Sequence, residues 1–191
     1  MEETKKMERL SDFLKLISSL KLTARKGWIT YDVPGTKETI GSHSFGTVFI
    51  AWILSKKKSL DTEKVIKLAI VHDILEAITG DITIHDKEFE KKETIEKEAL
   101  IELNKKLPDE LKNEINDLLQ ELKEGKTEES KVCLQADKLD TAFQTYLYEK
   151  KKYGKDIEES TLTRFFDWTD SFLKDEFAKE FLNYIRSLRG K

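Results

Sequence analysis

The chain has 191 residues, 37% of them charged, with a net charge of −3, eight glycines, two prolines and one cysteine. This length suits one domain with a sizeable core, and the lone Cys133 excludes an internal disulfide framework and a cysteine-built zinc site. Interleaved acidic and basic residues leave no footprint for nucleic acid, and no stretch approaches the roughly 20 apolar residues of a membrane span. The expectation is a soluble, cytoplasmic protein acting on small molecules, with no nucleic-acid or membrane partner.

Scarce glycine and proline beside abundant Lys and Glu point to an all-α fold, a single domain over residues 1–191. Leu10, Phe13, Leu14, Ile17 and Leu20 recur at helical spacing and predict a first helix over about 5 to 21. From Thr23 to Gly41 the periodicity breaks around Gly27, Pro34, Gly35 and Gly41, giving a long loop of the kind that carries function. A second helix is expected from about Ser42 to Lys57, and Asp61-Thr62 caps a third that Gly80 ends. Two charged, amphipathic helices follow over 86–107 and 109–123, parted by Pro108. Thr127-Glu128-Glu129 opens a long helix through Ala136 and Leu147 that Gly154 closes, and a last pair covers about 160–172 and 175–189.

The third helix carries the most informative run, Leu68-Ala69-Ile70-Val71-His72-Asp73-Ile74-Leu75-Glu76-Ala77-Ile78. A helix apolar on nearly every side is normally buried, and an imidazole beside a carboxylate within it costs several kcal/mol, as a rough figure, unless paired or metal-bound. Glu76 follows on the same side, four residues after His72. Of the other two histidines, His43 opens the preceding helix, where an antiparallel pair of helices brings it close, and His85 reads as an exposed loop residue. Asp137, in a second strongly apolar helix, is the complementary acid, and Asp140 one turn later is either a supporting group or simply solvated. Two imidazoles with two carboxylates form a mixed nitrogen and oxygen donor set suited to Mn²⁺, Fe²⁺, Co²⁺, Ni²⁺ or Zn²⁺ more than to Ca²⁺.

His43, His72-Asp73 and Asp137, in the order H…HD…D along an all-helical chain, resemble the metal signature of the HD-domain phosphohydrolase superfamily. Arg25-Lys26-Gly27-Trp28 looks like the R-x-G-W loop of its small 5'-deoxynucleotidases, Glu38-Thr39-Ile40-Gly41-Ser42-His43 like their E-S-V-x-x-H stretch, and His72 to Ile82 like H-D-x-x-E-x-x-x-G-D-I. Thr39-Ile40 and Ser42 depart from the usual residues without removing a ligand.

The resemblance implies a homodimeric phosphomonoesterase that takes the 5'-phosphate from deoxyribonucleoside monophosphates. Its divalent metal, Co or Mn or another of Mg, Fe, Ni and Zn, would be held by His43, His72, Asp73 and Asp137. Glu76 and Asp81 would handle the attacking water and the leaving oxygen as catalytic groups, while Arg25 clamps phosphate and Trp28 offers an aromatic wall to the nucleoside. Two alternatives are an HD-type hydrolase of nucleoside triphosphates or other phosphoesters, and a metal-stabilised interaction module without turnover.

Overall fold

The computed structural model describes residues 2–33, 35–83, 86–150 and 159–189, and the regular elements among them are helical, beside one isolated antiparallel bridge between Ala24 and Thr39. In chain order they are α1 (Glu2–Leu20), α2 (Lys26–Thr30), α3 (Ile40–Lys57), α4 (Thr62–Val71), α5 (Glu76–Thr79), α6 (Lys92–Lys106), α7 (Asp109–Glu124), α8 (Glu128–Lys150), α9 (Glu159–Phe172) and α10 (Glu176–Leu188). The all-α expectation stands. No helix among the described residues is long and apolar enough to cross a membrane.

Side-chain oxygens start several of these helices by taking orphan backbone donors. Asp61 accepts from the Lys64 N–H at 3.1 Å, as its position before α4 predicts, and Asp175 accepts from Ala178 N–H at 3.0 Å. The architecture centres on α8, which buries Val132, Cys133, Ala136, Leu139 and Ala142 along its length. Helices α3 and α4 pack on it and on each other, and α9 and α10 also pack against it. Leu54, Leu68, Leu103, Leu118, Phe166 and Leu182, from six helices, share one apolar cluster. Each such side chain contributes on the order of 1.5–3 kcal/mol by leaving water.

The clearest correction concerns the expected helix through His72 and Asp73. It stops at Val71, and α5 restarts four residues after His72. Between them Ile74 N–H donates to Val71 O and Glu76 N–H to Asp73 O, both at 3.0 Å, the i to i−3 pattern of a tightened turn. On a straight helix neighbouring side chains diverge by about 100°, whereas this turn brings Asp73 Oδ2 to 3.1 Å from His72 Nε2. Gly80 closes α5 at φ +69°, a backbone that L side chains rarely adopt.

Among the described residues of the loop expected from Thr23 to Gly41 are a short helix and a bridge. Its arms join at the Ala24–Thr39 bridge, and α2 buries Trp28 with Val33 and Tyr148, Phe165 packing beside them. The helix expected over 86–107 begins at Lys92, after a 3-10 turn at Phe89–Lys91. His85 and Gly154 lie outside the described residues.

Candidate metal centre

His43 reaches the core from the first turn of α3, and the helix start is fixed by a reciprocal cap. Thr39 Oγ1 accepts from Ser42 N–H at 3.1 Å while Ser42 Oγ accepts from Thr39 N–H at 2.9 Å, so two orphan donors are satisfied at once. Ser42, which departs from the usual residue, is the second half of that cap. The His43 ring is fully buried, and its Nδ1 lies 2.8 Å from Asp140 Oδ2 on α8. Asp140 is thereby a supporting group and not a solvated one.

His72 caps the end of α4, with Nδ1 2.8 Å from the Ala69 carbonyl oxygen. Carbonyl and carboxylate oxygens only accept, so Nδ1 of each histidine is the donor and Nε2 of each neutral ring keeps its lone pair. Those two Nε2 atoms face each other at 3.4 Å. Asp73 Oδ2 stands 3.1 Å from one and 3.6 Å from the other, and Asp137 Oδ1 is 3.2 Å from His43 Nε2. Four acceptors thus converge with no donor among them, an arrangement that requires a shared proton or a cation. The donor set, two imidazoles with a fixed tautomer and two carboxylates, fits a divalent transition ion.

Protonation follows the same geometry. Burial and Arg25 oppose a charge on His43, but hydrogen bonds to Asp137 and Asp140 outweigh them and the ring is pushed up to about 9. Burial also opposes ionisation of Asp73 and Asp137. The His72 and His43 imidazoles prevail at Asp73, and Lys138 and His43 at Asp137, so both carboxyls are held below the usual range. Glu76 behaves in the opposite way: burial, with Asp73 and Asp81 adding repulsion, pushes it up to about 9. Acids that titrate so far apart within one site can divide acid and base roles.

Arg25 and Asp81 frame this cluster. Arg25 Nη1 reaches Thr141 Oγ1 at 3.4 Å, and although burial opposes its charge, Asp137, Asp73, Glu38 and Asp81 hold the guanidinium protonated. Asp81 Oδ2 accepts the Lys26 N–H at 2.7 Å and so ties the start of α2 to the segment after α5. Trp28 is 2% exposed and touches Tyr148 and Phe165, with Nε1 donating to Glu38 Oε2 at 2.8 Å. It supports the loop from beneath, apart from the four converging acceptors.

Sequence reasoning named Glu38 within a motif without a role and passed over Gly46 and Lys138. Gly46 has a clear role, because a Cβ there would stand 2.0 Å from Asp140 Oδ1. Gly46→Ala should push Asp140 off His43. Overpacking costs about 1–3 kcal/mol, against a gain of about 1 kcal/mol in helix propensity. We expect a net loss of about 1 kcal/mol and metal affinity about tenfold weaker, read by thermal melting and equilibrium dialysis; wild-type affinity would contradict the orienting role of Asp140.

Comparison with known proteins decides the family. The HD-domain profile matches residues 17–180. The chain belongs to the HD-domain family. Among its relatives, the 5'-deoxynucleotidase HDDC2 of Dictyostelium discoideum is 35% identical over 85% of this chain and 89% of that protein. The 5'-deoxynucleotidase hdd1 of Schizosaccharomyces pombe is 32% identical over 91% and 86%. The crystal structure of the PH0347 protein from Pyrococcus horikoshii OT3 superposes with a TM-score of 0.74 at 31% identity, covering 93% of this chain and 99% of that one. In this HD domain the H…HD…D residues are the acceptors that converge between α3, the turn after α4, and α8.

Proposed function

We propose that the protein is a divalent-metal-dependent 5'-deoxynucleotidase, converting a deoxyribonucleoside 5'-monophosphate and water into deoxynucleoside and phosphate. The facing Nε2 atoms of His43 and His72, with Asp73 and Asp137 beside them, carry the assignment as a metal-dependent hydrolase. The substrate class is supported by relatives named 5'-deoxynucleotidase that align over most of their length. The metal, when bound, supplies charge for the phosphoryl oxygens and acidity for water.

The chain's own residues do the rest. Arg25 offers a planar pair of donors to the phosphoryl oxygens. Glu76 keeps its carboxyl proton near neutral pH and is the group suited to give it to the leaving 5'-oxygen, while Asp81, with Oδ2 engaged by Lys26, turns its other oxygen to the attacking water. Trp28 acts on the nucleoside through the loop it supports. Residues 1–191 form a single HD domain in this reading, acting in the cytoplasm. Phe45, Phe49, Trp52 and Ile53, exposed together on α3, are the face of a homodimer, which sedimentation of the purified protein would show.

Phosphate release from deoxy- and ribonucleoside mono-, di- and triphosphates with Mn²⁺, Co²⁺ and Mg²⁺ tests the assignment. Turnover confined to triphosphates, or none with any ion, would overturn it. Arg25→Ala should lower kcat/KM alike for a deoxynucleotide and for p-nitrophenyl phosphate, because the phosphoryl group is common to both.

The titrations add a pH expectation for metal-free protein. His43 rises from 6.5 to about 9 and Glu76 from 4.5 to about 9 on folding. A group whose pKa is raised in the folded state contributes stability at low pH that is lost as pH climbs through the folded value. Melting temperature should therefore fall between about pH 6.5 and 9 after chelation, and Mn²⁺, taking the proton's place, should flatten the decline. A metal-free melting temperature that rises over that range would contradict this account.

A further inference from the structure

Asp137 presents its two oxygens to different partners. Oδ1 lies 3.2 Å from His43 Nε2, inside the cluster, and Oδ2 accepts a hydrogen bond from the Lys138 ammonium at 2.7 Å. Neighbouring side chains on a helix diverge by about 100°, so Lys138 must curl back over α8 to make this contact. Helix α9 holds it there. The ammonium is 4.7 Å from the Trp168 ring centroid and 5.7 Å from that of Phe172, and the Thr169 hydroxyl donates to the Lys138 carbonyl at 3.2 Å.

Aromatic faces attract a cation without neutralising it, which leaves the charge available to Asp137. Asp167 and Asp170, the acids among the described side chains of α9, do not compete for it, being bound by Arg186 at 3.2 and 3.0 Å. The lysine side chain is 21% exposed, so most of it has left water to adopt this pose.

We propose that Lys138 is a positioning residue that reserves Oδ2 of Asp137, so that this carboxylate offers a metal ion one oxygen only, with Trp168 and Phe172 of α9 enforcing the pose. The inference rests on Asp137 being a metal ligand. Carboxylates bind divalent ions through one oxygen or two, and the second would fill a position that water or a phosphoryl oxygen needs. The ammonium both steadies the ligand and repels the cation, so metal affinity by itself does not report its role. The donor set around the ion does.

The experiment loads full-length wild type, Lys138→Met, Lys138→Arg, Trp168→Ala and Asp137→Ala with Co²⁺ and records the visible d–d absorption, which follows donor number and geometry. Lys138→Met should still bind Co²⁺ but with an altered spectrum and kcat lower by about tenfold. Lys138→Arg should restore the wild-type spectrum, and Trp168→Ala, a change at a half-exposed ring, should shift it in the direction of Lys138→Met by less.

A wild-type spectrum in Lys138→Met overturns the proposal, whether the variant only melts earlier, as a packing residue would, or only raises KM, as a direct phosphate contact would. Should Lys138→Met fail to fold, an unchanged spectrum in Trp168→Ala overturns it equally. Retention of Co²⁺ with the wild-type spectrum in Asp137→Ala would instead remove Asp137 from the ligand set, a failure distinct from that of Lys138.

Discussion

His72→Ala is expected to strip the purified protein of metal and abolish phosphatase activity. The Nδ1 bond to the Ala69 carbonyl fixes the tautomer, so the whole purpose of Nε2 is to present a lone pair to the centre. Alanine removes that donor and opens a gap beside the buried His43. Asp73→Ala and Asp137→Ala should lose metal as well. Their metal-free forms differ from His72→Ala, since each deletes an acid that attracts the proton on His43 and so pulls the His43 pKa down. Elemental analysis decides the matter, and full metal occupancy in His72→Ala would refute the ligand set.

Glu76→Gln separates chemistry from metal binding. The amide keeps the shape of the side chain but can neither release nor take up the proton that the carboxyl holds up to about 9. Loss of a positioned acid or base lowers kcat by about 10² or more. Metal content should stay at the wild-type level, and KM should move little because the amide keeps the shape of the side chain and the phosphoryl oxygens are held by Arg25. Unchanged kcat in Glu76→Gln and in Asp81→Ala would remove both acids from the chemistry.

Helices with a clean apolar stripe or a capping residue were legible from residue order alone, as α4 shows from Asp61 onward. The break at Val71 was not. Ile74, Leu75 and Ile78 continue the apolar pattern across it without glycine or proline, so nothing in the residue order marks the tightened turn that the backbone bonds define. The order H…HD…D brought His43, His72, Asp73 and Asp137 to notice, because buried ionisable groups in apolar helices demand partners. Asp140 could not be resolved in the same way: spacing puts it near the face of Asp137, but its bond to His43 depends on how closely α3 approaches α8. The trace of that approach is Gly46, a glycine inside a helix where alanine would be favoured by about 1 kcal/mol. Trp28 carried the right motif, yet its burial follows from how the loop folds over Tyr148 and Phe165, which local sequence does not encode.

The cluster draws on three segments that meet only when α3, the turn after α4, and α8 have docked, and His43 and Asp137 are about 90 residues apart, a loop whose closure is entropically costly. An ion bound there acts as a late-forming cross-link. It should recognise the finished arrangement and not the folding transition state, so its stabilisation falls on the unfolding rate. At a free metal concentration 100 times Kd the gain is about 2.7 kcal/mol, or roughly a hundredfold slower unfolding. In a cell, the ion would then set how long each molecule survives proteases as well as whether it turns over substrate.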